Sequence, residues 1–372
     1  MDVNGRIYPN RALPKRDTYL DFARGVMILS VIHIHTVYWS LHDFIPDMVR
    51  QLAYLVDIPI FFFISGTLFK NTTLRVSVRT AFRQFLRIYL HYVVITFLAA
   101  GGILLWLHFG EHRMEPQVGA VLSSIFRIQP LGLMWGYLSM YRGNLWYIQT
   151  YLPLLMLVPL MVGLPFFRKV KWVVLALVAT AWVLISTFLP HQMFWLAPAG
   201  QVLFYAIFFV LGAIYRTIEH QCKPKWVALA LVLNLLVALG IFWSDGHTLV
   251  LTSRKFPPTF AYLVYTMLLV HVFVLVRPFW GRIHSMAMAP VVWAGRNSLQ
   301  LYLIQGAVCS LPFFFADQMG TTNPWALYAM VYSFNVLLTF GLSWLYVAAD
   351  SGVKVGTGAL KCRFERVKTD SA

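Results

Sequence analysis

Three ionisable residues share one face of the first long apolar segment: Asp21, Arg24 and His35. An α-helix advances by about 100° per residue, so the interval from Arg24 to His35 completes nearly three turns, or about 16 Å. Asp21 lies one turn before Arg24. Ionisable groups at membrane depth are costly and usually face the interior of a helix bundle. These residues therefore predict a functional site, whereas His33 points away from them and is expected to make a packing hydrogen bond.

The composition is that of a membrane protein. Of 372 residues, 59% are hydrophobic and 12% are charged, and the mean hydropathy of +0.67 excludes an ordinary soluble domain. Apolar runs of about 20 residues, each long enough to cross a bilayer, recur along the chain. We predict an all-α integral membrane bundle of about ten transmembrane helices. They are expected over 19–40, 48–69, 87–109, 145–163, 171–189, 197–215, 226–243, 260–276, 287–310 and 325–349.

The basic residues predict how the bundle is oriented. A net charge of +16 would suggest nucleic acid as the partner of a soluble protein. Here most basic residues fall in alternate loops, so we predict no nucleic-acid partner and place both termini in the cytoplasm. Six basic residues fall instead on the predicted outer side of the membrane: Arg50, Arg113, Arg127, Arg142, Arg254 and Lys255. Some of them are candidates for the acceptor side of a site.

Three sections are expected along the chain: a cytoplasmic segment over 1–18, the transmembrane domain over 19–349 and a basic cytoplasmic tail over 350–372. The long connection over 111–144 is rich in Gly, Pro and aromatic residues and is compatible with an interfacial or a re-entrant helix. The three cysteines follow neither a disulfide nor a metal-ligand spacing, and no metal site is predicted.

A ladder of arginines stands near the start of the third predicted helix: Arg79, Arg83 and Arg87. Four-residue spacing places them on one helical face. The planar guanidinium binds phosphate oxygens in pairs, which makes the ladder a candidate phosphate site. The alternative is topology alone, for which lysine would serve equally. Arg83 and Arg87 are the favoured phosphate ligands.

Several segments resemble the acyltransferase-3 membrane family. LDFARGVMILSVIHIH matches its opening L-D-x-x-R-G with a His eleven residues after the Arg, and VDIPIFFFISGTLF is similar to its P-x-F-F-x-x-S-G. GNLWYIQTYL and PPTFAYLVYTML also resemble family segments, as does GRNSLQLYLIQ, in which Gln305 replaces a frequent His. In the second segment Pro59 is expected to kink a helix and Gly66 to admit a close neighbour.

The resemblance implies a membrane O-acyltransferase. Such an enzyme moves an acyl group, usually acetyl, from cytoplasmic acyl-CoA to a hydroxyl of a surface glycan or its lipid-linked precursor. The donor is a substrate, and no permanently bound cofactor is expected. His35 is the expected general base. Arg24 and Asp21 complete the catalytic set, although Asp21 is more readily explained as the ion-pair partner of Arg24.

The donor site follows from the same resemblance. A basic cytoplasmic mouth would hold the CoA phosphates while the thioester arm reaches inward. Its arginines are expected to be Arg24, Arg83, Arg87 and Arg296. By resemblance alone, the further donor-site and oxyanion candidates are Ser298, Tyr302 and Trp146.

Several alternatives remain open at this point. The transfer is either direct or proceeds through an acyl-enzyme. A transporter or flippase for a glycan precursor also needs polar groups in its interior, and a non-catalytic scaffold is a third possibility. His42 is a candidate contact for the acceptor, and Trp106, Trp135, Trp146 and Trp243 are candidates for stacking on sugar rings. A bacterial inner membrane is the expected setting, while the acceptor and the oligomeric state stay open.

Overall fold

A computed structural model describes most of the chain: residues 16–39, 50–51, 53–56, 58–69, 73–109, 128, 146–164, 166–247, 251–283, 285–314, 321 and 323–370. Within these residues the fold is helical, apart from two antiparallel two-residue strands, β1 (Met193–Phe194) and β2 (Ala197–Pro198). The α-helices are α1 (Thr18–Trp39), α2 (Pro59–Leu68), α3 (Leu74–Phe109), α4 (Trp146–Val162), α5 (Phe167–Phe188), α6 (Ala199–Ile218), α7 (Pro224–Ser244), α8 (Leu251–Lys255), α9 (Phe260–Val276), α10 (Trp280–Ile283), α11 (Ala289–Arg296), α12 (Ser298–Val308) and α13 (Pro324–Asp370).

In this part of the chain, seven helices are long and apolar enough to cross a bilayer. They lie in α1, α3, α5, α6, α7, α9 and α13. The prediction of an all-helical membrane bundle is confirmed, and the predicted count of ten spans is confirmed in part. Two of the remaining predicted segments are represented by the shorter apolar helices α2 and α4.

The second predicted segment, 48–69, is wrong as a single helix. A 3₁₀ turn over Ala53–Leu55 precedes α2, which begins only at Pro59. Proline is favoured in the first helical turn, because the N–H that it lacks has no intrahelical acceptor there. Pro59 therefore begins a helix, where a kink was predicted.

The predicted helix over 287–310 is also wrong as a continuous element. The backbone of Asn297 leaves the helical region, with φ −110° and ψ 24°, and separates α11 from α12. The asparagine amide donates to the carbonyl of Trp293 at 3.0 Å, which satisfies an acceptor at the end of α11. The break places Arg296 and Ser298 at the junction of two helices.

Other boundaries differ in length. Helix α3 begins at Leu74, so the arginine ladder lies within a 36-residue helix. Helix α13 continues to Asp370, well beyond the predicted end at 349. Except for Ile128, the connection over 111–144 lies outside the described residues.

The helices form an inner group and an outer group. The most hydrophobic windows of α1 and α6 are 67% and 72% buried, whereas those of α5 and α7 are 11% and 6% buried. Helix α5 packs on α6, and α7 packs on α9. The outer helices therefore expose large apolar side chains, as is expected of surfaces that face lipid.

Two glycine contacts bring the inner helices together. A Cβ atom built on Gly25 of α1 would overlap the carbonyl of Val291 in α11, and one on Gly295 would overlap the carbonyl of Asp21. Gly66 of α2 and Gly212 of α6 are placed in the same way against each other's helix. Small residues permit such close backbone approach in membranes. The close neighbour expected at Gly66 is therefore α6.

The α1–α11 contact gives a first prediction. Gly295→Leu would force two backbones apart, so we expect destabilisation at or above the roughly 1–3 kcal/mol typical of overpacking. Thermal unfolding of the detergent-purified protein would measure this. Gly240→Leu is the control, because nothing lies within 4 Å of a Cβ atom at Gly240. Equal melting temperatures for the two variants would contradict the described helix contact.

Candidate functional site

A cavity of about 210 Å³ opens beside the first half of α1. We call it the arginine cavity, because four guanidinium side chains line it: Arg16, Arg24, Arg87 and Arg296. None of the described residues that line it is acidic. Its inner wall is aromatic and hydroxyl-rich, with Tyr147, Tyr151, Ser298 and Tyr302. This combination suits an anion at the mouth and an apolar group deeper inside.

The Asp21 carboxylate organises the mouth of the arginine cavity. It is 3% exposed and accepts hydrogen bonds from Arg16, at 2.6 Å from Nε and 2.9 Å from Nη2. Arg296 forms an ion pair with the same carboxylate, with its Nε 3.3 Å from Oδ2. The Asp21 hydrogen bond raises the pKa of Arg16 above its usual value. Asp21 therefore holds two arginines of the mouth.

The expected Asp21–Arg24 ion pair is not formed among the described residues, where the ion-pair partners of Asp21 are Arg16 and Arg296. The physical reason is the glycine contact, which brings the end of α11 against the first turn of α1. Arg24 instead lines the arginine cavity, together with Tyr147 and Tyr151 of α4.

The arginine ladder divides at the cavity. Arg87 lines it, together with Gln84 and Ile88 of the same helical face. Arg83 is exposed and is not among the lining residues. The structure therefore brings Arg24, Arg87 and Arg296 together as the sequence predicted, adds Arg16, and leaves Arg83 outside.

A second, smaller cavity of about 20 Å³ lies further along α1. We call it the histidine cavity, since His35 lines it with Trp146, Tyr302 and Lys255. The remaining walls are apolar: Val31, Ile34 and Ile58. Such a volume holds about one water molecule or one small polar group.

A hydrogen bond to Gln305 orients the His35 ring. Its Nδ1 lies 2.6 Å from Oε1 of Gln305, and the Gln305 amide nitrogen donates to the carbonyl of Tyr302 at 3.2 Å. The second bond identifies which end of the amide faces the histidine, so Nδ1 must carry the proton that Oε1 accepts. A neutral His35 therefore keeps its lone pair on Nε2, as a general base requires.

Tyr302 lies between the two cavities. Among the described lining residues it is the one that both share. Its ring packs on Tyr147, with the centroids 4.9 Å apart. Trp146 lines the histidine cavity and Ser298 the arginine cavity, so the residues chosen by resemblance lie on the walls of one or both.

Other predicted residues lie elsewhere. His33 makes the expected packing bond, with Nδ1 2.7 Å from the Tyr328 hydroxyl. Trp243 is 72% exposed and lines neither cavity. His42, Trp135 and the side chain of Trp106 lie outside what the structure describes.

Sequence reasoning did not place Arg16 in the site, named Lys255 only among six basic residues on the outer side, and did not predict that Gln305 orients His35. Arg16 was counted only as a topology signal, although it stands five residues before Asp21. The sequence did mark Lys255, because it is a basic residue on the outer side, where the positive-inside rule predicts few basic residues. Gln305 was identified only as a departure from the family pattern, although its amide can still form a hydrogen bond.

A family model described as an acyltransferase domain matches residues 17–346, nearly the whole chain. The chain belongs to the acyltransferase-3 family. No curated protein and no solved structure matches it. This acyltransferase is thus an integral membrane enzyme whose family match includes every residue that lines the histidine cavity.

The mouth of the arginine cavity gives a stability prediction. Asp21→Asn removes a buried charge that holds two arginines, and we expect a loss of about 1–3 kcal/mol. Arg16→Gln should cost only about 0–1 kcal/mol, because the Arg16 side chain is 58% exposed. Thermal unfolding in detergent compares them. A larger loss for Arg16→Gln than for Asp21→Asn would show that the carboxylate does not organise the mouth.

The Gln305 hydrogen bond gives a prediction about rate. Gln305→Leu removes the acceptor that selects the His35 tautomer, so kcat for acyl transfer should fall about tenfold or more, or about 1.4 kcal/mol in activation free energy. Gln305→Glu keeps an acceptor oxygen and should retain more of the activity. Wild-type kcat in Gln305→Leu would exclude an orienting role for this residue.

Proposed function

We propose that this acyltransferase moves an acetyl group from acetyl-CoA to a hydroxyl of a cell-surface glycan or its lipid-linked precursor. The observation that carries the proposal is that Tyr302 is a shared wall between an arginine-lined cavity and a neighbouring cavity lined by a histidine. Donor recognition and proton removal thereby occupy adjacent compartments of one bundle.

The charge of the arginine cavity supports a phosphate-bearing donor. CoA carries several phosphate charges and a long narrow arm that ends in the thioester. Guanidinium groups bind phosphate oxygens in pairs, so Arg16, Arg24, Arg87 and Arg296 would hold the charged part at the mouth. The arm would then extend past Tyr147 toward Tyr302. Since acyl-CoA is cytoplasmic, this assignment agrees with cytoplasmic termini and with a transmembrane domain over 19–349.

The His35 tautomer supports a direct transfer. Nε2 would take the proton of the acceptor hydroxyl as its oxygen bonds to the carbonyl carbon of the thioester. The carbon–sulfur bond then breaks, and the CoA thiolate receives the proton from the imidazolium. Direct attack needs no residue to carry the acyl group.

Acetyl is the acyl group that the family resemblance implies, and the histidine cavity of about 20 Å³ is large enough for one small polar group such as a carbonyl oxygen. We place the enzyme in a bacterial inner membrane, where cytoplasmic acyl-CoA and glycan precursors meet. Family membership favours acyl transfer over transport of such a precursor.

A host experiment tests the function. We expect a gene deletion to remove O-acetyl groups from the surface glycan and wild-type complementation to restore them. His35→Ala should lower transfer by about 10²- to 10⁴-fold, the usual contribution of a general base, while His33→Ala should restore acetylation. Membrane levels are compared by immunoblot. If deletion leaves every O-acyl group unchanged, the acceptor is not a surface glycan.

A second experiment tests the donor site. Arg87→Gln should raise KM for acetyl-CoA about tenfold, since a charge-assisted hydrogen bond contributes about 1.5–3 kcal/mol and the exposure of Arg87 reduces it. Arg83→Gln removes the same charge one turn away and should raise KM less. An equal rise in both variants would indicate that the arginine ladder, and not the cavity, binds the phosphates.

A further inference from the structure

Lys255 is a buried lysine that shares a cavity with His35. It ends the short helix α8, is 3% exposed and lines the histidine cavity. Burial of an ammonium group is costly unless its surroundings favour the charge. An ionisable residue in such a place is a functional candidate, and its neighbours indicate the function.

Aromatic faces surround the ammonium group. Nζ lies 4.8 Å from the ring centroid of Trp146, 4.9 Å from that of Tyr54 and 5.4 Å from that of Phe256. Ring faces attract a cation and give little to a neutral amine. The cage therefore favours the protonated, hydrogen-bond-donating form of Lys255.

The backbone around Lys255 is fixed at both ends. Leu251 donates its N–H to Oε1 of Gln51 at 2.9 Å, and the backbone of Lys255 forms an isolated antiparallel β-bridge with that of Pro258. The Thr259 N–H donates to the carbonyl of Arg254 at 2.9 Å. These bonds tie α8 to neighbouring segments and fix the backbone from which the Lys255 side chain extends.

Trp146 relates the cage to the catalytic chemistry. It is a wall of the aromatic cage and also a wall of the histidine cavity. A carbonyl oxygen in that cavity would be bounded by His35 on α1 and by Lys255 on α8. A fixed donor in a site that excludes water stabilises developing negative charge without having to reorganise.

We propose that Lys255 is a second catalytic residue, whose ammonium group donates a hydrogen bond to the oxyanion formed during acyl transfer. The inference rests on the proposed function. As the acceptor oxygen bonds to the thioester carbon, the carbonyl electron pair moves onto its oxygen, and the hydroxyl proton moves to His35. Collapse restores the carbonyl bond and expels the CoA thiolate, which takes the proton from His35. Lys255 keeps its own protons throughout.

The test measures the rate and donor binding of Lys255→Met, which preserves length and apolar packing but removes the charge. Membranes of the deletion host supply the native acceptor, and radiolabelled acetyl-CoA supplies the donor. We expect kcat to fall about 10²- to 10³-fold, as for the loss of an oxyanion donor. KM and Kd for acetyl-CoA should change less than about threefold. An unchanged Kd also shows that the variant is folded.

Two further variants complete the test. Arg254→Gln removes a charge from the same helix, but Arg254 pairs with Asp245 at 2.5 Å and does not line the histidine cavity, so its kcat should stay near wild type. Lys255→Arg keeps the cation and should retain more activity than Lys255→Met. If Lys255→Met unfolds and loses donor binding, the proposal is tested on Lys255→Arg instead. A folded Lys255→Arg protein with wild-type Kd for acetyl-CoA and a reduced kcat supports the proposal, whereas wild-type kcat contradicts it.

Near-wild-type kcat in Lys255→Met would overturn the inference while leaving the proposed function intact. A change confined to KM for the acceptor would do the same, because it would indicate that Lys255 binds an anionic acceptor. Equal losses of kcat in Arg254→Gln and Lys255→Met would overturn it too, because the effect would then follow from disturbing α8. A wild-type protein that transfers no acetyl group from acetyl-CoA to these membranes would instead overturn the proposed function.

Discussion

The buried carboxylate of Asp21 is the constraint on which the arginine cavity depends. A carboxylate removed from water needs cations and hydrogen bonds around it, and here Arg16 and Arg296 supply them from opposite sides of a helix contact. That contact is close only because Gly25 and Gly295 lack side chains. The Asp21–Arg296 ion pair lies at the end of α11, and after the break at Asn297 α12 begins with Ser298 at the cavity wall.

A similar requirement governs the deeper part of the bundle. Polar groups that have no access to water must find partners within the protein. The Gln305 amide does so by donating to a carbonyl of its own helix and accepting from His35 on α1. The tautomer of the histidine is therefore a consequence of satisfying a buried amide. Lys255 follows the same rule with ring faces as its partners.

The helical period places the polar residues of α1 correctly and those of α3 only in part. His33 and His35 separate as the period of the helix requires, one onto Tyr328 and one into the histidine cavity. The arginine ladder follows the same period, yet only Arg87 of its favoured pair reaches the arginine cavity. Four-residue spacing drifts by about 40° per step, so the packing of α3 selects which guanidinium faces inward.

The sequence by itself determined the membrane class, most of the helices and the residues on one polar face of α1, because hydrophobic length and helical period are local properties. The sequence motifs also indicated the acyltransferase-3 family. Only the tertiary structure decided that Asp21 pairs with Arg16 and Arg296, that 287–310 is two helices, and that Tyr302 lies between the two cavities. These features depend on contacts between residues far apart in the chain, such as Asp21 with Arg296 and His35 with Gln305, and no local pattern encodes which helix faces which.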